Sequence, residues 1–467
     1  MTKFTSIIRW LGPVLALLIS IAGQGQSHFV LLGIAAWMLV WWITETVHLG
    51  VTALLPLLLF PALELGTAKE LAGYYAHPLI YLFFGGFVLA IALEKSSLHY
   101  RIAFWILKRT GTKDTGLIAG FMLATGFMSM WISNTATAIM ILPIATSVLG
   151  VLDKEKQSKL SRPVLLSVAW AANIGGMATI IGTPPNMIFA AFMSEQLDHP
   201  IGFMEWLPVG LTATVVLGLT AFWIITRGLP KDGLNDEEEQ NTARWIAQEW
   251  HSLGGLTPVQ KRVAVVFTFT ALLWILRPYL ALWISVIQWS DTAIALASAV
   301  MLFALRDGNQ GNILDWEDTK NLPWGILILF GGGLALAGTL QGSQWFELMS
   351  TGLDNLGQLP QWVWLLIIAI IGVFATELLS NMALVSALLP LLLSLSLAIG
   401  IPMDALSLPL VLGASCAFML PMATPPNAIV FSTGKLTISY MVYRGIVMNI
   451  LAIILIVLLL QVVGITG

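Results

Sequence analysis

Ser133-Asn134-Thr135 interrupts an otherwise apolar segment over residues 116–150, and Ser380-Asn381-Met382 interrupts a second such segment over residues 361–398. A proline stands ten residues beyond each serine, at Pro143 and Pro390. Each run is followed further along by a Thr-Pro-Pro-Asn, at Thr183-Pro184-Pro185-Asn186 and Thr424-Pro425-Pro426-Asn427. The same two-part signature thus occurs twice in the same order, and the fold depends on how the two occurrences are related.

The surroundings are hydrophobic throughout. Apolar residues make up 57% of the 467 positions and charged residues 10%, far from the roughly even apolar share and quarter-charged composition of soluble domains. A helix needs about 20 apolar residues to cross a hydrocarbon core, and stretches of that kind recur about a dozen times. Composition therefore predicts an all-α polytopic membrane protein. The net charge of −3 carries little information, because in such proteins the sidedness of Lys and Arg matters and the total does not. The single cysteine, Cys416, rules out an intrachain disulfide and a cysteine metal site and suggests packing. The six histidines never recur at metal-ligand spacing and read as interfacial or loop residues. No nucleophile and base set, phosphate loop or nucleic-acid patch is present, so the chain is not expected to be an enzyme or to bind nucleic acid, and no cofactor is implied.

Taken in order, apolar runs place eleven spans near 11–25, 28–48, 50–65, 78–95, 162–194, 204–227, 261–284, 291–305, 323–343, 406–432 and 438–465. Segments 116–150 and 361–398 are too long for one simple span, and each is expected as a re-entrant helical hairpin. Ser20-Ile21-Ala22 would pass as a signal-peptidase site, but an uncleaved first span is the expectation because the basic residues then sort by side. With the N-terminus cytoplasmic and the C-terminus extracytoplasmic, 20 of the 22 basic residues fall inside and only Lys69 and Arg277 outside. Counting either hairpin as a full crossing would move whole basic clusters to the wrong face. The expected location is the bacterial inner membrane.

The polar stretch 228–260, with Asp236-Glu237-Glu238-Glu239, Trp245 and Trp250, predicts a cytoplasmic linker with an interfacial amphipathic helix and a solvated acidic run. It separates an N-terminal span (1–27) and a first repeat (28–227, broken helix 162–194) from a second repeat (261–467, broken helix 406–432). The repeats are offset by about 246 residues, since Glu45-Thr46 matches Asp291-Thr292, Phe84-Gly85-Gly86 matches Phe330-Gly331-Gly332, and Ser133 matches Ser380. Five crossings per repeat is an odd number, so the second repeat is inverted. Inverted repeats with interrupted helices point to a secondary transporter with its site at the midplane.

Pro-Pro within a span removes two backbone donors and breaks the helix, leaving free carbonyls and a half-helix N-terminus. A simple proline kink is the competing reading for either Pro-Pro taken alone. Across residues 116–150, 163–194, 361–398 and 405–434 there is no Lys, Arg or His, and the only acid is Glu377. Carbonyl and hydroxyl oxygens suit hard cations, whereas N–H groups and helix N-termini suit oxyanions. An anion entering such a site without basic residues needs accompanying cations, so cation-coupled anion symport is expected. Glu377 either tunes the cation site or caps a helix end. The Gly85-Gly86 and Gly331-Gly332-Gly333 runs read as close helix packing.

These paired signatures resemble those of the divalent anion/sodium symporter family, the INDY-type dicarboxylate, citrate and sulfate transporters, over nearly the whole chain. The resemblance implies a homodimer working by an elevator mechanism, with two sodium sites flanking one anion site. By position, the first sodium site would use Ser129, Ser133, Asn134 and Gly182, and the second Thr376, Ser380, Asn381 and Ala423. The anion would lie between Asn134, Thr135, Thr183 and Pro184 on one side and Ser380, Asn381, Met382, Thr424 and Pro425 on the other. Met382 stands where the symmetrical motif has threonine, which removes one hydroxyl from the anion side. Sodium-coupled uptake of succinate, malate or fumarate is the expected activity. Dicarboxylate exchange, or sodium-coupled citrate or sulfate uptake, are the alternatives that the resemblance leaves open.

Overall fold

The computed structural model describes residues 2–462 apart from 198–199, 228, 230–233, 285, 309–310 and 342–358. Lys231 and the ends of two expected spans, 342–343 and 463–465, lie outside the described residues. Helix accounts for 78% of the described residues. The helices are α1 (Thr2–Ala22), α2 (Ser27–Thr44), α3 (Leu49–Thr52), α4 (Leu55–Ala62), α5 (Ala68–Tyr74), α6 (Pro78–Lys95), α7 (Leu98–Thr110), α8 (Asp114–Ser129), α9 (Asn134–Gly150) and α10 (Lys154–Gly176). They continue with α11 (Pro184–Leu197), α12 (Phe203–Thr226), α13 (Asp236–Ser252), α14 (Pro258–Trp283), α15 (Asp291–Ala304) and α16 (Trp324–Gln341). The last five are α17 (Gln361–Ala375), α18 (Asn381–Ile399), α19 (Met403–Ala414), α20 (Pro425–Phe431) and α21 (Ile438–Val462).

Six helical stretches among the described residues are both long and apolar enough to cross a hydrocarbon core: Ser27–Thr44, Ala68–Lys95, Phe203–Thr226, Pro258–Trp283, Asn381–Ile399 and Ile438–Val462. The remaining apolar helices are shorter, and the shortness has local causes. Residues 50–65, expected as one span, divide into α3 and α4. Pro56 offers no N–H to the carbonyl of Thr52 and its ring crowds that carbonyl, so the helix stops at Ala53 and restarts with proline in its first turn. The Ala53 carbonyl at this break accepts the Tyr75 hydroxyl.

Both Ser-Asn runs fall in breaks between two helices, α8 to α9 and α17 to α18. Ser133 caps α9 by accepting from the Ala136 N–H at 3.3 Å, which satisfies one of the N–H groups that a helix start leaves unpaired. Both Thr-Pro-Pro-Asn motifs likewise coincide with a restart, at Pro184 and Pro425, where a missing N–H has no consequence. Their asparagines hold the irregular backbone between the half-helices. Asn186 Nδ2 donates toward the carbonyls of Gly176, Met177 and Thr179 at 3.2, 3.3 and 2.9 Å. Asn427 Nδ2 donates to those of Ala417 and Leu420, both at 3.0 Å.

Helix α10 is buried continuously from Val164 to Gly176 and packs against α8, α9, α12 and α20. Through α20 it joins the N-terminal half of the chain to the C-terminal half. The paired glycines also work across the repeats. A Cβ on Gly85 would lie 2.7 Å from the backbone of Ala295 in α15, and one on Gly332 in α16 would strike the Ala53 carbonyl.

Two smaller expectations change. The acidic run is the first turn of α13, with Asp236 and Glu237 exposed and Glu238 buried, and Asn235 and Glu238 cap each other's backbone at 2.8 and 3.0 Å. Four acidic side chains there complement the helix dipole, and Trp245 packs on Phe104 of α7. His99 is buried in α7 rather than placed in a loop, with Nδ1 3.3 Å from the Leu93 carbonyl. Cys416 is fully buried, as packing requires.

Candidate functional site

A cavity of about 1060 Å³ lies between the two signatures and receives side chains from both. Ser133, Asn134, Thr135, Gly182, Thr183 and Pro184 line it from the first repeat; Ser380, Asn381, Met382, Ala423, Thr424 and Pro425 line it from the second. Helices α9, α11 and α18 begin at this cavity, so their positive dipole ends converge on it, and α9 and α18 also begin there with residues that carry an N–H. The volume far exceeds what a four-carbon acid occupies and includes a vestibule edged by Glu45, His48, Glu94 and Asn321.

Two of the expected cation ligands, Ser129 and Thr376, are fully buried behind the lining residues. Their surroundings repeat almost atom for atom. Ser129 Oγ lies 2.8 Å from Asn134 Oδ1 and 2.7 Å from the Ala172 carbonyl oxygen. Thr376 Oγ1 lies 2.7 Å from Asn381 Oδ1 and 2.7 Å from the Ala414 carbonyl oxygen. In each cluster three oxygens meet around one hydroxyl proton, which can be donated to one acceptor at a time. Such oxygen-rich, proton-poor clusters suit a hard cation. Among the described residues no group of three or more His, Cys, Asp or Glu could hold a metal ion, so any cation here is held by neutral oxygens. The first cluster depends on a close backbone approach: a Cβ on Gly176 would strike Asn134 Oδ1.

Glu377 serves backbone amides rather than a cation, and the amides are those of an irregular segment rather than of a hairpin helix end. It is 3% exposed, and its Oε1 accepts from the N–H groups of Phe418 and Met419 at 2.8 and 2.9 Å and from Asn449 Nδ2 at 2.8 Å. Its Oε2 accepts from the Leu420 N–H at 2.9 Å. The carboxylate thus holds the irregular segment 415–424 of the second broken helix by three consecutive amides. Four donors and no other acceptor match an acceptor-only carboxylate, and three of the four bonds fall on Oε1.

Asn173 was not among the residues expected from sequence. It is 1% exposed, lines the cavity, and joins the repeats: Nδ2 donates to the Ala417 carbonyl and to Thr424 Oγ1, each at 3.1 Å. One turn earlier, Trp170 Nε1 donates to the Phe418 carbonyl at 3.1 Å. A lone amide in the run Ala171-Ala172-Asn173-Ile174-Gly175 is the signal that could have found it, since buried polar side chains in apolar helices require partners.

Residues 4–466 match the family profile described as the sodium:sulfate symporter transmembrane region. The chain is similar to the sodium-dependent dicarboxylate transporter SdcS of Staphylococcus saprophyticus, with 37% identity over 466 residues covering 96% of this chain and 89% of the relative. It is 35% identical to SdcS of Staphylococcus aureus, with the same coverage. In fold it is similar to the YdaH transporter of Alcanivorax borkumensis, at a TM-score of 0.54 and 15% identity, covering 84% of this chain and 86% of that one. With a profile spanning almost every residue and a relative matched over 89% of its own length, the chain belongs to the sodium:sulfate symporter family of membrane transporters.

Proposed function

We propose that this protein couples inward movement of sodium to the uptake of a C4-dicarboxylate such as succinate, malate or fumarate. The observation that carries this reading is the duplicated oxygen cluster, Ser129 with Asn134 and Thr376 with Asn381, on either side of one cavity. The first sodium is assigned to Ser129, Ser133, Asn134 and Gly182 and the second to Thr376, Ser380, Asn381 and Ala423. Two bound cations offset a dianion in a site that has no basic side chain of its own, which makes entry of the anion conditional on sodium. The carboxylates then face hydroxyls, amides and helix N-termini. The relatives named as sodium-dependent dicarboxylate transporters support the choice of ion and substrate class.

The transport cycle we assign is alternating access of the elevator type in a homodimer, with eleven spans, two re-entrant hairpins and inverted repeats. The N-terminus is placed in the cytoplasm and the C-terminus outside. On that sidedness Glu45, His48, Glu94 and Asn321 at the edge of the vestibule are cytoplasmic, so the cavity opens inward.

The test is uptake of labelled succinate by purified protein in proteoliposomes with sodium or potassium outside. Uptake that requires the sodium gradient is expected. Equal uptake in potassium when counter-substrate is loaded inside would replace symport by exchange.

A further inference from the structure

We infer that Asn173 is a positioning residue that sets the hydroxyl of Thr424 as a donor to the substrate carboxylate, giving the two halves of the anion site unequal strength. The inference rests on the anion site proposed above.

The argument is one of proton counting. Asn173 Nδ2 has two hydrogens, and both are used: one on the Ala417 carbonyl and one on Thr424 Oγ1, at 3.1 Å each. The orientation of the amide is fixed by the first contact, because a flipped amide would set Oδ1 against a carbonyl oxygen. Thr424 Oγ1 is therefore an acceptor toward Asn173. Its own proton has no acceptor among the described residues, and Thr424 lines the cavity. The hydroxyl is left with one place to donate, the ligand. A preorganised donor of this kind does not have to be turned away from a competing protein acceptor when the anion arrives.

Asn173 holds this arrangement at a cost to itself, since its buried Oδ1 has no hydrogen-bond partner. A buried amide left half-satisfied in a packed helix calls for a role. The first repeat has no such device. No side chain among the described residues addresses the hydroxyl of Thr183. With Ala172 and Ala414 as the equivalent carbonyls of the two clusters, the counterpart of Asn173 is Ser415, whose hydroxyl donates to the Val411 carbonyl of its own helix at 3.5 Å. The asymmetry falls in the half that lacks a threonine at 382. There the oriented Thr424 hydroxyl offsets the missing one.

The experiment is a double-mutant cycle of Asn173→Ala and Thr424→Val in the full-length protein in proteoliposomes, reading succinate KM, maximal rate and half-saturating sodium. Thr424→Val should raise KM about 2- to 10-fold, the loss of one neutral hydrogen bond. Asn173→Ala should raise KM by a similar or smaller factor, with maximal rate and half-saturating sodium unchanged. The double variant should resemble Thr424→Val alone, because Asn173 acts only through that hydroxyl. Multiplying effects in the double variant, or a change in sodium dependence as large as that in KM, would overturn the inference and leave the anion site standing. An unchanged KM in Thr424→Val would remove Thr424 from the anion site and the inference with it. Should Asn173→Ala fail to fold, Asn173→Ser retains one donor and is expected to give a KM between wild type and Thr424→Val. A KM equal to or above that of Thr424→Val would count against the positioning role.

Discussion

Replacing Glu377 by glutamine should lower the thermal stability of the protein by a large and sodium-independent amount. The side chain accepts four hydrogen bonds at 2.8 to 2.9 Å, three of them on Oε1. A glutamine keeps the most contacts by leaving its oxygen at the Oε1 position, which places its NH₂ against the Leu420 N–H. One bond is lost there and a buried donor is orphaned, at a cost of about 1–3 kcal/mol. The other three fall from charge-assisted to neutral strength, roughly 1 kcal/mol each. Relief from burying a charge offsets part of this sum, so the net loss is about 2–5 kcal/mol. Dye-free thermal unfolding of detergent-solubilised protein, with and without sodium, reads it directly. If Glu377 instead ligated the cation, the variant would unfold like wild type without sodium and lose only the stabilisation that sodium adds. That result would refute the bracing role.

Asn134→Ala and Asn381→Ala should each abolish sodium-dependent uptake while purified protein remains monodisperse by size-exclusion chromatography; retained transport in both would remove the site assignment. Gly176→Ala should raise half-saturating sodium several-fold, because the added methyl meets Asn134 Oδ1 and displaces one ligand of the first cation. Unaltered sodium titration curves would show that this cluster tolerates movement and is not a cation site. Met382→Thr should change relative uptake across succinate, malate, citrate and sulfate more than it changes sodium dependence, and an unchanged anion panel would show that position 382 does not read the substrate.

Much of the site was legible before any coordinates. The duplicated Ser-Asn run and Thr-Pro-Pro-Asn could be read because proline and asparagine act locally: Pro184 and Pro425 terminate helical hydrogen bonding wherever they fall, and polar side chains in apolar segments must find partners. The family assignment needed no more than these motifs in order. Local chemistry also fixed where α9 and α18 begin, at Asn134 and Asn381.

What the sequence left open required knowing which distant backbone atoms meet. Glu377 offered two readings because a carboxylate is equally suited to a cation and to amides; only the folding of 418–420 against it decided for the amides. Asn173 had no local signal beyond its polarity, and its partners lie 244 and 251 residues away. The division of 50–65 into α3 and α4 was hidden because hydropathy averages over the proline that breaks it. Composition determines by itself that this chain is a helical membrane protein, and the duplicated proline and asparagine motifs mark its two interrupted halves. Which oxygen faces a cation, which hydroxyl faces an anion and which carboxylate is already engaged are properties of long-range contacts, and only the tertiary structure decides them.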